Sequence, residues 1–208
     1  MAMQISYRLQ KVKTRMTELS HRRLSLSTGI EMDAYTAGDP SNPAIIFLHG
    51  FPESHRTWRH QIGAFSDRFY CIAPDQRGYR GTSKPQDVDA YTADKLTADI
   101  FALADALEVQ NFIIAGHDWG GAIAWSVALN GQADGFNPAW AGRVTRAIIA
   151  NAPHPYLFQR LMITDMTQRA ASQYIRAFRD PANDALVREK GLTGLLLETI
   201  KWDKPSAM

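Results

Sequence analysis

Short, wholly apolar runs alternate along the first 150 residues with stretches whose apolar positions recur every three or four residues. Ala44-Ile-Ile-Phe-Leu48 is such a run, bounded by Pro43 and Gly50, and predicts a strand buried on both faces. Phe69–Ala73, stopped by Pro74, Phe112–Ala115 and Ala147–Ala150 predict three more. Arg23–Ser27 and Ile30–Thr36 predict a strand pair about the Gly29 turn. Between the strands, Trp58, Ile62 and Phe65 predict a helix over His55–Phe65. Leu96, Ile100, Leu103 and Leu107 predict one after Thr92, with Thr92 or Asp94 as its cap. A third, buried all round, is predicted over Gly120–Leu129. Strands alternating with helices predict an α/β fold, a mostly parallel sheet flanked by helices.

The pattern changes after Asn151-Ala-Pro-His-Pro155. Tyr156–Phe178 and Asp184–Ile200 read as helical, separated at Asp180-Pro181, and Gly191 and Gly194 weaken the second stretch. The expected organisation is an N-terminal extension over residues 1–21, the α/β core over 22–154 and a helical lobe over 155–208.

Composition narrows the function classes. A chain of 208 residues, 45% hydrophobic and 21% charged, supports one substantial core. A net charge of +2 gives no electrostatic footprint for nucleic acid or an anionic membrane. No apolar run has the length of a membrane span. Residues 1–16 carry four basic side chains and lack the apolar stretch of a secretory signal. The one cysteine, Cys71, suits a reducing compartment, so a cytoplasmic location is expected.

Candidate chemistry concentrates at Gly116-His-Asp-Trp-Gly120, between a predicted strand and a predicted helix. The form G-x-D-x-G matches a strand–turn–helix elbow that presents its central residue above the sheet. Small edges are needed there because strand and helix approach closely. Asp118 would face the positive end of the following helix and could attack an electrophilic carbon to form an ester. The structural alternative is a helix-capping aspartate. Leu48-His-Gly-Phe-Pro-Glu-Ser54 also follows a predicted strand, and the backbone N–H groups of Phe51 and Trp119 could converge on an oxygen bearing negative charge. Asp75 and Arg77 are expected to pair locally. His117 is expected to project away from Asp118. His154, the only histidine after Asp118, is expected to be structural.

HGFPESHRTWRHQI, APDQRGYRGTSKP, GHDWGG and NAPHP, in that order, resemble the epoxide hydrolase branch of the α/β-hydrolase superfamily from about Gly29 onward. The resemblance implies an α/β-hydrolase fold with a partial helical cap. It implies Asp118 as the nucleophile that opens the epoxide, Tyr174 as a proton donor to the leaving oxygen, and a histidine-activated water that cleaves the ester. In that family the acid and the histidine lie on strands beyond the cap. The sequence read here is therefore expected to end inside the cap with the C-terminal strands absent, unable to turn over alone. Haloalkane and haloacid dehalogenases are the alternative enzymes. The first typically carry asparagine where Phe51 stands, and the second typically have arginine after the nucleophile, where Trp119 stands. A non-catalytic binding module is the alternative of another class. The expected partner is a small-molecule substrate, with no nucleic acid or membrane. Self-association through an open Ala147–Ala150 sheet edge is also expected. No metal site and no cofactor are expected, since the histidines are scattered and Gly120-Gly121 serves close packing.

Overall fold

The computed structural model describes residues 18–178 and 180–199. Two units divide the chain, Met1–Pro153 and His154–Met208. Most of the expected N-terminal extension lies outside the described residues, and the first strand begins within it, at Ser20.

The first unit holds a six-stranded sheet. Its strands are β1 (Ser20–Ser25), β2 (Glu31–Ala37), β3 (Ala44–Leu48), β4 (Tyr70–Pro74), β5 (Phe112–His117) and β6 (Val144–Ala150), in the order β1-β2-β4-β3-β5-β6. β1 and β2 form an antiparallel pair, and β2 runs antiparallel to β4. From β4 across β3 and β5 to β6 every pairing is parallel. Parallel neighbours need crossovers. These carry a 3-10 turn (His55–Trp58) with α1 (Arg59–Phe65), then α2 (Ala93–Ala106), then α3 (Trp119–Gly131).

Strand alternation sorts the apolar runs onto two faces. Ala44, Ile46 and Leu48 join Ile72, Phe112 and Ile114 in a core closed by Leu96, Ile100 and Leu103 of α2 and by Ile123, Ala124 and Val127 of α3. Ile45 and Phe47 join Cys71, Ala73, Ile113 and Ala115 in the opposite core, closed by Trp58 and Ile62. Two buried faces leave no polar position in these strands, which is why they read as unbroken apolar runs. The expected cap of α2 is only half present. Thr92 occupies the capping position, but its side chain makes no cap bond, and Asp94 lies in the first turn.

β6 is different. Thr145 to Ile148 are exposed, Ile148 by 55%, and among the described residues no strand pairs with its second edge. Unpaired N–H and C=O groups beside an exposed isoleucine template strand addition. Light scattering across a concentration series should therefore find assembly that grows with concentration. A monomer throughout would remove this expectation.

The second unit is helical over its described residues: α4 (Pro155–Thr164), α5 (Met166–Ala171), α6 (Gln173–Ala177) and α7 (Pro181–Thr199). The stretch over residues 156–178, expected to be helical, is divided into three helices. Asp165 adopts an extended conformation and its carboxylate accepts the Thr167 and Gln168 N–H groups, capping a new helix. Pro181 opens α7, and Gly191, at φ 71°, breaks its regularity.

Candidate active site

The C-terminal ends of β3, β4 and β5 point the same way, and their three following loops form one cluster. Crevices beyond the carboxyl ends of parallel strands are where such sheets bind ligands. The cluster's centre is Asp118, with φ 54° and ψ −121°, a conformation sparsely allowed to any residue with a side chain. The glycines on either side make the turn feasible. A Cβ on Gly116 would run into Gly120 O and stand 2.7 Å from Ala124 Cβ, and one on Gly120 would run into Leu48 O and His49 O. Either would force α3 off the sheet.

Asp118 sits at the N-cap of α3 but its side chain makes no cap bond. Instead Oδ1 accepts the Phe51 N–H at 2.9 Å, from a residue 67 positions earlier. Its own N–H donates to Ala150 O at 3.1 Å, and its carbonyl accepts the Ala122 N–H. The capping alternative is thus not realised. Of the two expected amide donors, Phe51 is on the carboxylate. Trp119 is the first residue of α3, where an amide has no acceptor within the helix. Phe51 and Trp119 are 38% and 43% exposed.

Three residues complete the cluster, and two of them, Glu53 and Tyr79, were not singled out from the sequence. Glu53 Oε2 accepts the Gly50 N–H at 2.9 Å. Tyr79 packs edge-on against His49, and burial, with the charges of Asp118 and Glu53, pushes its phenol up to about 12. His117 Nδ1 lies 3.5 Å from Glu53 Oε2, too far for a hydrogen bond, so His117 borders the cluster on the Glu53 side. The signal available in the sequence was position: Glu53 and Tyr79 lie in the loops after two parallel strands.

The expected Asp75–Arg77 pair does not form. Asp75 accepts the His55 N–H at 2.9 Å, lies 3.0 Å from His55 Nδ1, and has Arg80 at 3.4 Å. Burial pushes the Asp75 carboxyl up, but the His55 contacts prevail and hold it below the usual range. Arg77 grips Asp99 of α2 with two hydrogen bonds, 2.8 and 2.7 Å. Alternation again decides it: residues two apart at a strand end share a side only while the chain stays extended.

Tyr174 lies on α6 in the second unit, 45% exposed, its ring edge-on to Phe178. His154 caps α4, its Nδ1 accepting the Tyr156 N–H at 3.3 Å, a structural role.

A family model described as the alpha/beta hydrolase fold matches residues 43–164. The chain belongs to the α/β-hydrolase family. Within it the chain is epoxide hydrolase-like. It is 64% identical, at a TM-score of 0.82, to a solved structure described as among novel epoxide hydrolases from metagenomes of hot environments. The match covers 92% of this chain and 61% of that one. Epoxide hydrolase A of Mycobacterium tuberculosis is 42% identical over 108 residues, which are 51% of this chain and 34% of that protein. Epoxide hydrolase 3 of Xenopus tropicalis is 33% identical over 154 residues, 74% of this chain and 40% of that protein. The chain spans less than two thirds of each.

In this α/β-hydrolase the Phe51 amide is set by His49, fully buried at the end of β3. Its Nδ1 lies 2.9 Å from Gly50 O, its Nε2 accepts the Gln76 N–H at 3.1 Å, and its carbonyl accepts from Gln76 Nε2 at 2.6 Å. Burial lowers the His49 pKa below the ordinary 6.5, only partly opposed by the bond to Gly50. The unfolded chain therefore takes up a proton that the folded chain refuses. Stability should be full above about pH 6.5 and fall as the pH drops through it. Urea unfolding at pH 7.5 and 5.5 checks this, and His49→Asn should flatten that slope whatever it does to absolute stability.

Among the described residues no group of His, Cys, Asp or Glu could hold a metal ion, and no helix is long and apolar enough to cross a membrane.

Proposed function

We propose that the chain carries the nucleophilic half of an epoxide hydrolase-type reaction, with Asp118 as nucleophile. The observation that carries this reading is the side chain of Asp118, which forgoes its helix cap for the Phe51 N–H. With Oδ1 held, Oδ2 is the oxygen left to attack. It bonds to a ring carbon of the epoxide, the C–O bond of the ring breaks, and an alkyl ester of Asp118 results. The ring oxygen leaves as an alkoxide and needs a proton, a role that falls to Tyr174 by resemblance. In the second step water attacks the ester carbon, Cγ. The oxyanion that develops on Oδ1 finds the Phe51 donor already in place, with the Trp119 amide as its second. The names of the relatives support an epoxide over a halide as substrate, as does phenylalanine rather than asparagine at position 51.

The test is the mass of the protein after incubation with an epoxide. The chain should gain the mass of one epoxide, mapped to Asp118 in the peptide containing GHDWGG. A gain from a haloalkane or a haloacetate, with none from epoxides, would favour the dehalogenase reading. No gain from any would leave a binding module.

A further inference from the structure

We infer that His55 is a positioning residue for Asp118: its grip on the buried Asp75 fixes where the Phe51 N–H meets the attacking carboxylate. This rests on the reading of Asp118 as nucleophile and deepens it. Asp75 follows β4 directly and is fully buried. A charge so placed is costly unless it is paired and bonded. Its partners come from two of the loops in the cluster. From the loop after β3, His55 donates its N–H to Oδ1 at 2.9 Å, and its ring Nδ1 lies 3.0 and 3.1 Å from the two carboxylate oxygens. From the loop after β4, Arg80 brings Nε to 3.4 Å with its own backbone at φ 44°, a conformation uncommon outside glycine. The contacts with His55 hold Asp75 below the usual carboxylate range, so it is ionised at neutral pH. An ionised carboxylate only accepts, which makes Nδ1 the donor.

The turn that presents Phe51 is braced within itself and tied at both ends. Gly50 N–H donates to Glu53 Oε2, and Glu53 N–H donates to Gly50 O. The first tie is His49, held by Gln76. The second is His55, where Ser54 caps the 3-10 turn leading into α1. The His55 ring has little freedom to swing. Tyr35 of β2 stacks on it with centroids 3.4 Å apart, and His21 of β1 stacks on Tyr35 at 4.9 Å. A turn braced internally and pinned at its ends moves as one body, so slack at His55 is felt at Phe51. A misplacement of about 1 Å at a reacting centre can cost about 10²-fold in rate.

Two readouts on the 208-residue chain test this. One is capture of styrene oxide on Asp118, followed by mass spectrometry over a range of epoxide concentrations. The other is exchange of the Phe51 N–H with solvent, followed by NMR. His55→Phe keeps a ring against Tyr35 and removes the donor to Asp75. His55→Leu, also without the donor, keeps the test open if phenylalanine disturbs folding. His55→Asn loses the ring but carries an N–H close to the place of Nδ1. Without the donor, the saturating capture rate should fall by about tenfold while the half-saturating concentration changes by less than about twofold. Phe51 exchange should quicken by about tenfold as its bond to Asp118 loosens. His55→Asn should bring both back to within about threefold of the parent. A merely structural role predicts no such recovery, since asparagine leaves the Tyr35 ring without its neighbour. Parent-like capture or exchange in the folded variants that lack the donor, or a His55→Asn that falls as far as they do, would overturn the inference. If the parent chain forms no ester, the nucleophile reading fails, and Phe51 exchange still decides whether His55 places that amide.

Discussion

Replacing Asp118 by asparagine should abolish covalent capture of an epoxide by this chain. The amide is a far weaker nucleophile than the carboxylate, and removal of a nucleophile costs many orders of magnitude elsewhere, so adduct formation should fall by about 10⁴-fold or more. The variant suits the question because it changes so little else. Asparagine keeps an oxygen for the Phe51 N–H and tolerates positive φ better than most residues, so the elbow at φ 54° should survive. Its unfolding midpoint should stay close to the parent's. The one thiol does not compete: Cys71 is fully buried, and burial pushes it up to about 12. It offers neither access nor thiolate at neutral pH. An adduct of the same mass forming equally fast on Asp118→Asn would mean alkylation elsewhere and would remove the ground for the proposed reaction.

The sheet was legible wherever both of its faces are buried. Residues 44–48 form a strand with the bounds read from the apolar run, since no position there could be polar, and Phe112–Ala115 lies inside the longer β5. The elbow was legible because its constraints are local: two glycines spared a clash and one residue forced to positive φ. What connects the elbow to other loops was less legible. The His55–Asp75 contact spans 20 positions and the Arg77–Asp99 contact spans 22. Both depend on which strands are neighbours and on where each loop turns, and neither leaves a periodic trace. Glu53 illustrates the limit: its backbone is two residues from Phe51, yet its relation to Asp118 exists only because β3 and β5 pair in register from Ala44↔Phe112 to Leu48↔Gly116. The helical character of the second unit was legible, but the breaks within residues 156–178 were not, for the opposite reason. A purely local event, one aspartate turning back to cap its own chain, interrupts a composition that remains helical on both sides.

Removing the Arg77 guanidinium should cost the fold a large share of its stability. Arg77 and Asp99 are both almost fully buried, with side-chain exposures of 6% and 2%. Asp99 Oδ1 also accepts the Thr28 hydroxyl at 2.6 Å, and Arg77 Nη1 donates to Ala90 O at 2.6 Å. Arg77→Met fills a similar volume but leaves the Asp99 carboxylate in the interior with a single hydroxyl. Breaking a buried pair from one side costs about 3–5 kcal/mol, a large share of a typical domain's stability of about 5–15 kcal/mol. Urea unfolding should show that loss as a lowered midpoint. Adding Asp99→Leu should recover much of it, because an apolar pair avoids the desolvation that the lone carboxylate suffers. A single variant that loses less than about 1 kcal/mol would show that the carboxylate finds water or a proton instead. The consequence reaches the candidate site. Arg77 lies between Gln76, which holds both ends of His49, and Tyr79, which packs on the His49 ring, and His49 sets the turn that presents the Phe51 amide. A loosened Arg77 should therefore slow ester formation at Asp118 even under conditions where the variant remains folded.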